Sequence, residues 1–345
     1  MDPYFIQMSN FILQSAHQTD IILKENFMTA DKEMTPMQTG TVEAVCISEE
    51  KGTQKKVMDS AVFREDWGIE GDAHAGNWHR QVSILAQESI LAFRACGVDV
   101  SYGDFGENLV VSGLDLEPVT VGTRLQVGEV LLEVTQIGKA CHKDCAIRRK
   151  TGDCIMPREG IFAVVLRGGS VKQGDEVKVF APDPKRAFTA AVVTLSDRAA
   201  KGIYPDESGP AIAQFLTEHG YEVIEQVLLP DGRVRLEQEL SRLADQRQVD
   251  VIFTTGGTGL SRRDVTPEAT IHVCEKMVPG IGEALRSYSM QFTPHAMLSR
   301  QTAGIRKNTL IINLPGSPKA CREDLEFLIG PLEHGIGVLR GTEDK

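Results

Sequence analysis

Val249-Asp-Val-Ile-Phe-Thr-Thr255 runs straight into Gly256-Gly-Thr-Gly-Leu-Ser-Arg-Arg-Asp-Val-Thr-Pro-Glu-Ala-Thr270, and this stretch decides the fold of the second half of the chain. A short apolar run rich in β-branched residues reads as a strand buried on both faces. Glycines end it, and Thr266-Pro267 reads as the N-cap and first residue of a helix. The alternation extends outward in both directions. Upstream, Ala190-Ala-Val-Val-Thr-Leu195 reads as another buried parallel strand and Pro210–His219 as a helix with Ala211, Phe215 and Leu216 on one face. Tyr221–Leu229 reads as a strand, and Val234–Gln246 as a helix buried through Leu236, Leu240 and Leu243. Downstream come two short helices, the strand Thr309–Leu314 and a last helix opening at Pro318. This order predicts an α/β domain with a doubly wound, mostly parallel sheet and ligands at the carboxyl ends of its strands.

The first half follows another pattern. Thr41–Ile47, Leu125–Val134 and Val177–Phe180 read as short strands between Gly or charged turns, and one helix is expected at Gln87–Ala95, closed by Gly97. Many strands and few helices predict a β-rich, barrel-like domain over 39–181. Ala181-Pro-Asp-Pro-Lys-Arg186 breaks both patterns, so 182–186 is read as a linker and 187–345 as the second domain. Residues 1–38 show no persistent periodicity, and Met34 and Met37 precede the first strand. They read as a mobile extension or an over-long start.

Composition narrows the function classes. The 345 residues include 37 Lys and Arg against 48 Asp and Glu, a net charge of -11. Such a chain is poorly suited to hold nucleic acid by non-specific electrostatics. The acid is uneven: residues 186–345 carry 18 basic and 21 acidic side chains, so the second half is the better receiver of an anionic ligand. No apolar run reaches the roughly 20 residues of a membrane span, and the acidic N-terminus lacks the basic region of an export signal. Seven Cys in a chain of this length suggest reduced thiols in the cytoplasm.

Three segments fall at predicted strand ends of the second half: Leu195-Ser-Asp-Arg-Ala-Ala-Lys-Gly202, the loop after Thr255, and Ile312-Asn-Leu-Pro-Gly-Ser-Pro-Lys-Ala320. Gly256, Gly257 and Gly259 around Thr258 let backbone N–H groups approach an anion. Arg262 and Arg263 add positive charge before Asp264. Pro315-Gly316 with Ser317 and Pro318 repeats the device of a capped helix start, beside Lys319, and two such helix starts suit phosphates. Taken alone, a Gly-rich turn after a strand is usually only a turn. This one is neither a Walker A loop nor a dinucleotide fingerprint.

With LSDRAAKG, the Pro-Asp of Leu229-Pro-Asp231, PGIGEALR and NLPGSPKA, the loop resembles the molybdenum-cofactor domain of MogA and MoaB type, over about residues 187–341. The resemblance implies a homotrimer built through this domain that binds molybdopterin and, in the MogA branch, adenylylates it with Mg-ATP. The family's two catalytic carboxylates fall on Asp231 and Asp264, which would hold Mg²⁺. Ser196 and Asp197 would contact the ligand with Gly256, Gly257, Thr258, Gly259, Arg262, Arg263, Pro315, Gly316, Ser317 and Lys319. By itself, Asp231 in Pro-Asp-Gly is a common turn residue.

In the first half, Gly71-Asp-Ala-His-Ala-Gly76, Arg80-Gln-Val-Ser83, Phe105-Gly-Glu-Asn-Leu109 and Thr135-Gln-Ile-Gly-Lys-Ala-Cys-His142 stand in an order that resembles the MOSC domain, over about residues 40–180. The resemblance implies sulfur handling or molybdenum-cofactor binding with Cys141 as the working group, a thiolate that would attack sulfur or ligate molybdenum. Lys139, His142 and Lys143 would favour that thiolate. His74, Arg80 and Asn108 are candidate pocket residues. Together the halves point to molybdenum-cofactor biosynthesis, with molybdate-insertion or client molybdoenzymes as partners and neither nucleic acid nor membrane. The alternative is a non-catalytic carrier that delivers the cofactor.

Overall fold

Alternating apolar residues along the first half close a sheet on itself. In the computed structural model, which describes residues 35–139 and 153–342, the strands are β1 (Gln38–Ile47), β2 (Lys56–Met58), β3 (Ser60–Arg64), β4 (Gly68–Ile69), β5 (Val82–Ala86), β6 (Leu109–Ser112), β7 (Arg124–Val127), β8 (Val130–Ile137), β9 (Ile161–Arg167), β10 (Gly169–Lys172) and β11 (Glu176–Phe180). The order β11-β7-β8-β9-β5-β6-β1 is closed by pairing of β1 with β11, with β2 added outside β1 and β10-β3-β4 forming a separate ribbon. Closure leaves no edge along the barrel wall to recruit another chain. Inside, Val42, Ile84, Leu109, Leu125, Leu132 and Ile161 pack as one core. Helix α1 (Gln87–Ala95) stands where the sequence predicts it, and α2 (Met156–Glu159) is a single turn before β9. The Leu125–Val134 run is not one strand: Gly128-Glu129 turns the chain, making a β7–β8 hairpin. Cys96, at the end of the apolar helix pattern, is exposed.

The second half is a six-stranded sheet. Its elements are β12 (Thr189–Leu195), α3 (Asp197–Ala200), α4 (Ser208–Glu218), β13 (Glu222–Leu229), α5 (Arg233–Asp245), β14 (Val251–Thr255), α6 (Thr266–Val273), β15 (Lys276–Met277), α7 (Pro279–Ser289), a 3-10 turn (Pro294–Leu298), β16 (Ala303–Arg306), β17 (Thr309–Leu314) and α8 (Pro318–Arg340). Strand order is β13-β12-β14-β17-β16-β15. The first four are parallel, while β15 and β16 form an antiparallel edge that the sequence pattern did not reveal. From β12 the chain moves to one side, to β13, and then to the other, to β14. The crevice therefore opens between β12 and β14.

Two apolar layers hold the sheet, one under α4, α7 and α8 and one under α5 and α6. At the amino ends of the strands, buried Asp250 accepts hydrogen bonds from Arg340 at 2.6 Å and from the Thr189 amide at 2.7 Å. Arg186, taken above as the last linker residue, already belongs to this network: its carbonyl accepts from Arg340, and its guanidinium lies 3.7 Å from Asp250. No helix among the described residues is long and apolar enough to cross a membrane.

A second buried carboxylate lies under α8. Asp324 is fully buried, accepting from Ser289 Oγ at 3.0 Å and Gln301 Nε2 at 2.7 Å. Burial pushes its pKa up to about 6, from an ordinary value near 3.8. Between those values the folded chain holds a proton that the unfolded chain has released, so this group's stability contribution falls as pH rises through the window and is flat above it. Asp324→Asn is expected to remove that slope, a change on the order of 2–3 kcal/mol across the window. Urea unfolding of both proteins over that pH range measures it, and parallel curves would show that Asp324 is not the group responsible.

Candidate functional site

The loops that follow β12, β14 and β17 meet over the crevice, and glycine geometry allows the meeting. Gly256 has φ of +92°, and a Cβ on it would lie 2.5 Å from Leu195 O. Gly257 has φ of +65°, with the Thr266 hydroxyl filling the space a side chain would need. Thr266 is not the N-cap expected from the sequence. Val265 holds that position, and Thr266 Oγ1 donates to Gly256 O at 2.8 Å, tying the glycine turn to α6. On the other side Thr255 Oγ1 donates to Pro315 O at 2.6 Å, and Ser208 Oγ donates to Gly316 O at 3.0 Å. These ties leave a cavity of about 420 Å³ lined by residues that include Leu195, Ser196, Tyr204, Asp206, Ser208, Gly256 and Gly316.

Helix α4 supplies the part of this wall that the sequence reading missed. It begins at Ser208 rather than Pro210, and Asp206 Oδ1 accepts from the amides of Ser208 and Gly209, each at 3.1 Å. An Asp accepting from amides just downstream is an ordinary helix-start signal, present in Pro205-Asp-Glu-Ser-Gly-Pro210. Ser196 caps α3 by accepting from Ala199 N at 3.2 Å, and its Oγ lies 3.1 Å from Tyr204 Oη.

Beside the cavity three carboxylates converge. Asp197 Oδ1 accepts from the Asp231 amide at 3.2 Å, and Arg263 lies 3.6 Å from Asp197 Oδ2. Burial, followed by the charge of Asp197, raises the Asp231 pKa; Asp264 pushes the same way, while Arg263 opposes. Asp264 Oδ2 accepts from the Ser261 amide at 2.8 Å, which holds its loop in a turn. Asp231 therefore feels the charges of both Asp197 and Asp264, with Arg263 as the near cation. Arg262 is exposed.

Of the expected binding residues, Ser196, Gly256 and Gly316 line the cavity, and Ser317 and Lys319 do not. Ser317 occupies the N-cap position of α8, but its side chain makes no capping bond. Lys319 is largely exposed, pairs with Glu323 at 3.7 Å, and lines an outer groove between α4 and α8 rather than the crevice. Of that loop, Gly316 and Pro318 line the cavity. Cys321 lies beneath it, donating to Pro315 O at 2.9 Å, and burial raises its pKa to about 12, so it is no nucleophile.

In the barrel, the Gly71–Gly76 loop is fastened from below. Buried Asp72 accepts from Lys55 Nζ at 2.5 Å, Asn108 Nδ2 at 3.1 Å and the His74 amide at 2.9 Å. Burial opposes its charge, yet hydrogen bonds from His74 and Lys55 hold it well below the usual carboxylate range. His74 Nδ1 stands 3.4 Å from Asp72, with the ring partly exposed. Asn108 is no pocket residue. It is buried, donating to Cys46 O and Asp72 and accepting from Ser83, so its hydrogen-bonding groups are already used. Arg80 lies over Trp78 and Phe162, and Lys139 Nζ is 5.6 Å from the centre of the Phe162 ring. Cys141, His142 and Lys143 lie outside the described residues. Among the described ones, no group of three or more His, Cys, Asp or Glu could hold a metal ion on its own.

Arg300, which the sequence reading passed over, positions the Asp264 loop. Its Nε donates to Gly259 O and its Nη2 to Asp264 O, both at 2.7 Å, and its Nη1 pairs with Glu268. Arg300→Ala is expected to raise amide exchange across 258–264 by about tenfold or more while β12 and β14 keep their protection. Exchange followed by mass spectrometry checks this; unchanged loop rates would remove the assigned role.

Comparison with known proteins agrees with both halves. Residues 191–334 match the family model described as a probable molybdopterin binding domain, and residues 71–178 match the MOSC domain model. A molybdopterin adenylyltransferase of Helicobacter pylori is 47% identical over 153 residues, covering 44% of this chain and 87% of that protein. The Escherichia coli protein of the same name is 46% identical over 138 residues, 39% of this chain and 70% of that one. The crystal structure of the molybdopterin biosynthesis enzyme MoaB from Thermus thermophilus is 41% identical, covering 45% of this chain and 97% of that chain, with a TM-score of 0.43. The second half of this chain thus belongs to the molybdopterin-binding domain family that contains the molybdopterin adenylyltransferases, and a MOSC domain precedes it.

Proposed function

We propose that the second domain adenylylates molybdopterin with Mg-ATP at the crevice between β12 and β14. The observation that carries this reading is the meeting of Asp197, Asp231 and Asp264 beside a cavity walled by glycine backbone and the start of α4. In the reaction an oxygen of the molybdopterin phosphate bonds to the α-phosphorus of ATP, and the bond from that phosphorus to the bridging oxygen breaks to release pyrophosphate. Phosphoryl groups of like charge must converge, so the site needs cations and fixed backbone donors more than a nucleophilic side chain. Mg²⁺ commonly takes one or two carboxylates and completes its shell with phosphate oxygens and water. Burial first, and then the charges of Asp197 and Asp264, raise the pKa of Asp231, and such an ion would relieve the part due to charge. Asp231 and Asp264 would hold the ion, with Arg263 offsetting charge at the rim. Gly256, Gly257 and Gly316 would leave room for the phosphates, and Ser196 would act through its capped turn.

The first domain would bind the molybdenum cofactor or handle sulfur, with Cys141 as its thiolate, Arg80 as a cation toward an anionic group and His74 at the loop surface. The carrier reading differs in one product. A protein that only delivers cofactor would bind molybdopterin without releasing pyrophosphate.

Asp264→Asn is expected to lower pyrophosphate release from molybdopterin and Mg-ATP by at least about a hundredfold, the order seen when one key electrostatic group is lost. Circular dichroism should be unchanged. Near-normal turnover in the variant would sink the role of Asp264; absence of pyrophosphate with the unaltered protein would favour the carrier.

Assembly into a homotrimer through this domain accounts for an apolar patch. Met290, Phe292, Met297, Leu298 and Phe327 are all exposed, with Tyr288 stacked on Phe327 at 4.6 Å and edge-on to Phe292 at 5.3 Å. Apolar side chains gathered in this way mark an interaction surface. Phe292→Asp with Phe327→Asp is expected to convert trimer to monomer in light scattering after gel filtration. A trimer that survives both changes would place the interface on another face.

A further inference from the structure

We propose that the turn Gln246-Arg247-Gln248 of the second domain is a docking key for the barrel, so that the two halves are held together by a specific interface and not by their linker alone. The barrel wall is irregular at this point. Pairing of β7 with β8 ends at Arg124 and Glu133, and the register of β8 on β9 slips between Val134 and Gln136. A bulge of this kind takes backbone groups out of the ladder, and such groups need another partner when buried. The second domain supplies the partners. Arg247 Nη1 donates to Thr135 O at 2.7 Å, and Ile137 N donates to Gln246 O at 2.9 Å. One loop further along the barrel, Val121 N donates to Gln248 Oε1 at 2.9 Å.

The key is built for this fit. Arg247 is 4% exposed, although most arginines at a helix end reach into water. Glu225 on β13 lies 3.9 Å from its Nε and balances the buried charge. Gln248 holds φ of +48°, an uncommon conformation for a residue with a side chain, and it follows immediately on Arg247. The turn thus aims a guanidinium at the β8 bulge and an amide at the Val121 loop from adjacent positions.

The interface also reaches the first domain's candidate site. Thr135 Oγ1 lies within hydrogen-bonding reach of both His79 O and Phe162 O, so the residue gripped by Arg247 is tied to the segment that leads through Arg80 into β5 and to the backbone of the Phe162 whose ring lies beneath Arg80. His79 Nε2 lies 2.9 Å from Gln136 Oε1. Burial, followed by the charge of Arg247, lowers the His79 pKa to about 4, which keeps that ring neutral beside the key. The second domain is therefore a structural support of the Arg80 wall as well as a partner in the chain.

A protease site placed at 182–185 in the full chain tests the idea. After cleavage the halves are expected to co-elute in gel filtration at micromolar concentration. Arg247→Ala is expected to weaken their association by about tenfold or more, because it leaves Thr135 O without its charged donor. Gln248→Gly removes only the bond to Val121 while easing the backbone, and it should weaken association less than Arg247→Ala with the fold intact. Separation of the cleaved unaltered protein would overturn the proposal. So would co-elution of the Arg247→Ala and Gln248→Gly halves with unaltered affinity.

Discussion

The crevice depends on one close approach, that of the loop after β14 to the end of β12. Gly256 passes Leu195 with no space for a side chain, and Gly316 in turn would bring a Cβ to 3.5 Å from the Gly256 Cα. Three loops converge at that point because three parallel strands end side by side. Side-chain hydroxyls then fix what the glycines permit: Thr255 to Pro315, Thr266 to Gly256 and Ser208 to Gly316. Each tie is worth on the order of 1 kcal/mol. Their importance lies in holding backbone donors at a fixed distance across an opening that would otherwise close or splay.

Electrostatics then decides what the opening suits. A chain with net charge -11 is a poor host for an anion unless positive groups are placed locally. The crevice has helix and loop backbone on one side and, on the other, the carboxylates of Asp197, Asp231 and Asp264. Arg263 is mostly exposed and only near Asp197, so it screens weakly. Asp264 is held by its own turn and, through Arg300, by the segment that precedes β16. The carboxylate geometry is thus set by residues some forty positions apart.

The barrel and the sheet domain solve the problem of unpaired strand edges differently. Closure handles most of the barrel, and at the β8 bulge the second domain takes over. The sheet domain covers its far side with the antiparallel pair β15–β16 and clamps the amino ends of its central strands with Asp250 and Arg340. Arg186 joins that clamp as the linker ends, so the chain between the halves is anchored at its exit.

Much of the fold was legible in the sequence. Buried parallel strands are continuous apolar runs, and β12, β14 and β17 appeared as such; α1 was marked by its periodicity and by Gly97. The three strand-end loops were read from the alternation of apolar runs, glycine turns and helix starts, whereas the roles of Asp231 and Asp264 came only from resemblance to a family. What escaped were features whose cause is not local. The hairpin in Leu125–Val134 has apolar residues on both arms, and the Gly128-Glu129 turn between them was read through as part of one strand. Strands β15 and β16 are too short to show a pattern. Asn108 looked like a pocket residue because the chain does not reveal that Asp72, Cys46 and Ser83 surround it. Arg300 and Arg247 looked like surface charges until folding brought carbonyl groups from distant segments to their guanidinium groups. The sequence determined which segments become strands, helices and glycine turns, because backbone sterics and burial act over a few residues. Tertiary structure alone decided which charges are buried and what they hold, because that depends on which parts of the chain arrive together.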